Sequence, residues 1–204
     1  MRLFSYIVKS DSGFAPNPFW GYCTLADCKP SIRRTALVGD WIVGLSPKAS
    51  GNRLIYAMRV GEVLSFEQYF HDKRFAAKIP DYSKPGPLHK CGDNIYEPLP
   101  DGNFRQLRST HSNGLIEDPD KKKHDLCGRN VLVSAEFVYF GAKGPDLPSE
   151  LGDLIVGRGH KCRFAQETIK AFIRFIENQP RGILGPPKKW PSKDDSWQLR
   201  TKCG

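Results

Sequence analysis

The chain has 204 residues, 39% hydrophobic and 26% charged, with a formal net charge of +9. That length suits one domain, or one with a modest appendage, and no apolar run approaches the roughly 18 residues that a membrane-spanning helix needs. The basic balance predicts an anionic partner, because a positive field attracts phosphate whatever the sequence it belongs to.

Leu3 to Val8 alternate as a short strand, and no small-residue cleavage site follows, so a strand rather than a signal peptide is expected and the predicted compartment is the cytoplasm. From Asp11 to Gly21 runs a Gly/Pro/aromatic loop. Within and just after it, Phe14, Phe19, Trp20 and Tyr22 offer flat faces on which a base could stack at roughly 1–3 kcal/mol each. A Cys/Lys/Arg turn follows, with a short helix, and its Arg33 and Arg34 are candidate phosphate contacts. The next runs, Thr35 to Leu45 and Leu54 to Val63, read as a hairpin whose lead-in turn uses Gly39 at positive φ. Glu67 to Phe75 predicts a short helix.

Between Ile79 and Gly128 the composition shifts to Pro, Gly, Asp, Lys and His with little periodicity, as in an insertion that works as a lid or binding element. Its Gly92-Asp93-Asn94 turn, followed by Tyr96, presents hydrogen-bonding groups that could read the edge of a heterocycle; an Asx turn without a ligand is the alternative. His111 stands alone among small polar residues. Order resumes at Asn130 to Phe140, one bent strand or two short ones. Gly157-Arg158-Gly159-His160-Lys161 then precedes a periodic segment, Phe164 to Asn178, the most regular helix pattern in the chain. Glycines and amides at a helix start, with Arg158 and Lys161 beside them, predict a phosphate site. The basic segment 185–204 reads as a tail, pinned by Trp190 and Trp197 or extended.

Six cysteines lie at long, unequal spacings without a Cys-x-x-Cys pair, so free thiols are expected. His89, Cys91, His111, His124, Cys127 and His160 match no closed four-ligand pattern; neither a metal site nor a cofactor is predicted. Nothing local activates any thiol, so no Cys–His pair is read as a nucleophile.

Strand Tyr6 to Asp11, Trp20-Gly21-Tyr22, Arg33 to Val43 and Tyr56 to Val60 resemble the opening of the EVE, ASCH and YTH branch of PUA-like barrels. Over the whole chain, Phe-Ala-Pro-Asn-Pro-Phe, Cys-Lys-Pro-x-Ile-Arg-Arg, Gly-Asp-Asn-Ile-Tyr, Ser-x-His-Ser and Gly-Arg-Gly-His-Lys resemble the second of the bacterial and phage nucleotide modification associated domain families. The resemblance implies an α+β fold built on a PUA-like small β-barrel over residues 1–184, with flanking helices and the 79–128 insertion. It also implies nucleobase chemistry or reading in DNA modification, with Lys9, Ser10, Trp20, Tyr22 and Trp41 near the pocket.

The leading expectation is a protein that binds a nucleotide or nucleic acid, in particular DNA with a modified base. Trp20 and Tyr22 stack, Asp93, Asn94 and Tyr96 read the base, and Arg33, Arg34, Arg158 and Lys161 take phosphate. A base in duplex DNA must leave the stack to reach such a pocket. Two alternatives remain open: an enzyme with His111 and His160 as acid and base, or an accessory subunit of a modification or phage-defence system.

Overall fold

A computed structural model of the protein describes residues 1–191, so Trp197 and Cys203 lie outside the described residues. The amino-terminal third forms β1 (Leu3–Ile7), β2 (Cys23–Leu25), α1 (Pro30–Thr35), β3 (Trp41–Leu45), β4 (Leu54–Arg59), β5 (Glu62–Ser65) and α2 (Phe66–His71). The insertion contributes β6 (Tyr96–Pro98), β7 (Phe104–Gln106) and α3 (Pro119–Leu126). Then come β8 (Asn130–Ser134), β9 (Glu136–Tyr139), β10 (His160–Lys161), α4 (Gln166–Glu177) and β11 (Gly182–Ile183).

Six strands form one sheet in the order β10-β1-β3-β4-β9-β11, with β1 parallel to β3 and the β3–β4 hairpin antiparallel. Strand alternation gives the sheet two apolar faces. Leu3, Val43, Leu45, Ala57 and Val138 face α4, whose Ile169, Phe172 and Ile176 recur at helical spacing. Phe4, Tyr6, Ile42, Tyr56 and Met58 face the other way, against Cys23, Leu25, Ile32 and Leu132. The latter belong to α1 and to a second, antiparallel sheet of order β2-β8-β5. The segment 130–140 is therefore two strands that serve different sheets, and Gly39 does adopt φ 90°.

The fold is mixed α+β, as expected, but no closed barrel forms among the described residues. The six-stranded sheet stays open, ending on two-residue edge strands at β10 and β11, too short to extend a ladder around a circle. The insertion is more ordered than its composition suggests. Its β6–β7 pair is three residues long on each side, below what periodicity can reveal, and Asp118 caps α3 by accepting from the Lys121 amide at 3.0 Å, ahead of Pro119. Ile95 and Tyr96 complete a third core with Phe66, Tyr69, Phe75 and Val131. The Gly157–Lys161 segment ends as an edge strand, with four residues between it and α4, so it is not the first turn of that helix.

Residues 185–191 pack on the amino-terminal loop: the Lys188 amide donates to Asp11 Oδ2 at 3.0 Å, and Trp190 stacks on Phe19 with ring centroids 5.6 Å apart. No helix among the described residues is long and apolar enough to cross a membrane.

Candidate functional site

The chain leaves the sheet at the end of β1, where an open cleft of about 570 Å³ forms. Lys9 and Ser10 border it, α1 offers Cys28 and Lys29 just ahead of its first turn, and the insertion brings Thr110, His111, Lys121 and His124. His160 enters from β10, whose pairing with β1 sets Tyr6 opposite His160. A smaller cavity of about 390 Å³ adjoins, lined by Ile7, Lys9, Lys29, Gly157, Arg158 and Gly159. Among the described residues, no Asp or Glu lines either cavity. The site is thus cationic on several sides and of a size that holds small organic ligands.

At the inner wall, His111 joins two groups. Its Nδ1 meets Asp125 Oδ2 at 2.5 Å, and its Nε2 lies 3.6 Å from Cys28 Sγ. Asp125 is fully buried, and all its polar capacity faces this array: Oδ1 accepts from the Cys28 amide at 2.8 Å, and Oδ2 also accepts from the Tyr96 hydroxyl at 2.8 Å. Cys28 and Lys29 both have left-handed backbone angles, φ 57° and 40°, unusual for residues with a Cβ. The strain has a visible anchor. Arg33, fully buried, donates from Nε to Cys28 O at 2.7 Å, from Nη1 to Asn130 O at 2.7 Å, and from Nη2 to Asp125 O. Its guanidinium lies so close to Gly128 that a Cβ there would overlap it.

Burial alone would lower the His111 imidazolium, but the hydrogen bonds to Asp125 and Cys28 outweigh it and push the ring up to about 10. Burial alone would raise the Asp125 carboxyl, which the His111 contact holds below its ordinary value instead. His160 goes the other way: burial, then the charge of Lys29, keeps it below the ordinary histidine value. One cleft therefore presents a protonated and a neutral imidazole, the arrangement that separates an acid from a base. Two polar groups close by are without partners among the described residues. Thr110 Oγ1 is one, on the cleft wall; the Asp27 carboxyl, 0% exposed behind Cys28, is the other. Burial, then repulsion from Asp125, raises Asp27 well above the carboxylate range, so it stays a neutral acid.

The three donors Cys28, His111 and Asp125 lie within 4.8 Å of one another, a set that could hold a metal ion. Asp125, however, already engages the imidazole, an amide and a phenol. That leaves the thiol and one ring nitrogen facing each other, which is the set of a nucleophile, its proton partner and an orienting carboxylate.

Of the residues singled out from the sequence, Lys9, Ser10, His111 and His160 come together at the cleft, and Arg158 at its annex. Trp41 lies instead under α4, edge-on to Phe172 at 5.6 Å and 3% exposed. Trp20 and Tyr22 flank Lys78 and Phe75 and are not among the cleft-lining residues. Asp93 is buried, accepting from Thr24 at 2.6 Å and Tyr69 at 2.7 Å. Asn94 is buried beside it, donating to Tyr69 O and Phe75 O, and Tyr96 sits behind Asp125. Arg33 is internal, Arg34 is exposed on α1, and Lys161 points over the Phe164 ring.

Sequence reasoning missed Cys28 and Asp125. Their separations from His111, 83 and 14 residues, carry no motif. One local signal existed: Asp27-Cys28-Lys29-Pro30 is a reactive residue type set just before a helix-starting proline.

The model of the family described as nucleotide modification associated domain 2 matches residues 1–194 of the chain. No curated protein and no solved structure matches it.

Proposed function

The chain belongs to the nucleotide modification associated domain 2 family, and from that premise we propose that its cleft binds a nucleotide, free or within DNA, as the substrate of a base-modification reaction. The observation that carries this reading is a cleft and annex without a lining carboxylate among the described residues, bordered by Lys9, Lys29 and Arg158. Such a surface favours a ligand carrying several negative charges, and phosphate is the anion the family context supplies. The phosphate sits at the annex between Lys9, Lys29 and Arg158, where Gly157 and Gly159 admit close approach. The base or its modified substituent then lies along Tyr6 and Phe14, within reach of His111 and His160. A PUA-like ancestry for the first seventy residues fits this pose, since such barrels hold a base against the first strand.

The test is calorimetric titration with a nucleoside, its monophosphate and a short oligonucleotide with and without a modified base. The expected result is at least about tenfold tighter binding of the phosphate-bearing ligands, weakening with salt and lost on the double change Lys9→Gln, Arg158→Gln. Equal affinity for nucleoside and nucleotide, or none for either, would overturn the reading. The oligonucleotide arm separates polymer from free nucleotide.

A further inference from the structure

The cleft holds more than a binding surface. Cys28, His111 and Asp125 form a compact cluster, with sulfur 3.6 Å from one ring nitrogen and a carboxylate oxygen 2.5 Å from the other. Cys28 and His111 line a cavity wide enough for a substrate, and the cysteine reaches it through two consecutive left-handed residues. Local strain of that kind costs on the order of 1–3 kcal/mol per residue and persists only where the surroundings enforce it. The Asp125 and Arg33 contacts to the Cys28 amide and carbonyl do so. The other described thiols differ. Cys23 and Cys91 are buried away from any imidazole contact, and Cys127 and Cys162 are exposed.

We propose that Cys28 is a catalytic nucleophile in acyl transfer, with His111 as its proton partner and Asp125 as a positioning residue, acting on a carboxylic ester or amide linked to the nucleotide. The inference rests on the nucleotide reading of the same cleft for the identity of the substrate, though not for the reactivity of the thiol.

The step balances without an oxidant or a reductant. The Cys28 thiol proton resides on His111, and the thiolate sulfur attacks the acyl carbonyl carbon. A C–S bond forms, the C–O or C–N bond to the leaving group breaks, and that group takes the proton from His111. A thioester remains on Cys28. Water or an amine then attacks the thioester and yields its proton to His111, and the C–S bond breaks to restore the thiolate–imidazolium pair. The Asp125 contact suits this cycle, because it fixes the His111 ring in the orientation that sets Nε2 3.6 Å from the sulfur.

The test uses the full chain with Cys127, Cys162 and Cys203 changed to serine, p-nitrophenyl acetate as the acyl donor, and intact-protein and peptide mass spectrometry. The expected result is a nitrophenolate burst of one equivalent with one acetyl group on Cys28. The burst disappears in Cys28→Ala and slows about 100-fold or more in His111→Ala. Asp125→Asn slows it and moves the alkaline limb of its pH profile to lower pH, as His111 loses the carboxylate that keeps it protonated; a folding defect would scale the profile without moving it. Absence of acetyl-Cys28 in the folded parent protein overturns the proposal, and so does equal acetylation in His111→Ala. Nucleotide titration of Cys28→Ala separates the two readings: retained binding with a lost burst supports both, and a normal burst in a protein that binds no nucleotide leaves the thiol chemistry standing while the nucleotide reading falls.

Discussion

Asp93 and Asp125 are both carboxylates that the 79–128 insertion carries into the interior, and their surroundings differ in kind. Asp93 meets Thr24 and Tyr69 in a region closed on every side, near the buried ammonium of Lys78, whose pKa burial lowers to about 8. Asp125 meets a histidine whose other nitrogen faces a thiol at the wall of an open cleft. The first array holds the insertion to the body of the protein. The second takes the order so established and aims it at a ligand. Residue type alone does not separate them; what separates them is whether the hydrogen-bond chain ends inside the protein or at a cavity.

Replacing Asp93 by Ala attacks the closed array. It leaves the buried Thr24 and Tyr69 hydroxyls without their acceptor and removes a negative charge that favours the Lys78 ammonium, and an unsatisfied buried polar group costs about 1–3 kcal/mol. Urea unfolding should register that loss, with the reactivity of Cys28 unchanged in the molecules that remain folded. The corresponding change at the open array, Asp125→Asn, should reverse the pattern, cutting the thiol's reaction with a small electrophile by about 100-fold or more at a smaller cost in stability. If both variants lose stability and reactivity together, the distinction between the regions fails.

Gly128→Ala probes the link between them. The added methyl overlaps the Arg33 guanidinium, whose three carbonyl contacts leave it nowhere to go, and overpacking of this kind costs about 1–3 kcal/mol. The same change should slow thiol labelling, because Arg33 holds the Cys28 carbonyl.

A gentler test is pH. His111 is raised from 6.5 to about 10 in the folded chain, so the folded state binds the extra proton. Its stabilising contribution is complete below pH 6.5 and is lost as pH rises through 10. Asp27, also raised, adds a loss of the same sign, which accumulates as pH rises above the ordinary carboxyl value of 3.8 and is complete once the folded group ionises. The denaturation midpoint should therefore fall on the alkaline side, and His111→Gln and Asp27→Asn should each flatten that fall. The smallest effect belongs to Trp20→Ala and Tyr22→Ala, expected to change nucleotide affinity by less than about twofold, since neither ring lines the cleft.

Much of the framework was legible. The alternation of β1, the hairpin around Gly39 and the 3–4 spacing of Ile169, Phe172 and Ile176 are local patterns, and local patterns survive into the fold. His111 and His160 were found as residues of interest because they are titratable types among small or glycine neighbours, whereas Lys9 and Ser10 came from the resemblance to PUA-like relatives. The open sheet, the short β6–β7 pair and the Cys28–His111 contact were not legible, since each depends on which distant segments meet. Polar residues proved the hardest to assign. Asp93, Asn94 and Tyr96 suit a ligand-reading edge by chemistry, yet the structure draws them inward, where their hydrogen bonds go to Thr24, Tyr69, Phe75 and Asp125.

The most direct measurement is competitive alkylation of the native protein with a limiting amount of iodoacetamide, read peptide by peptide, with and without a nucleoside monophosphate. The account predicts that Cys28 is labelled ahead of the more exposed Cys127 and Cys162 and that the nucleotide slows Cys28 alone. Labelling that follows exposure, with Cys28 last and indifferent to the nucleotide, would contradict it.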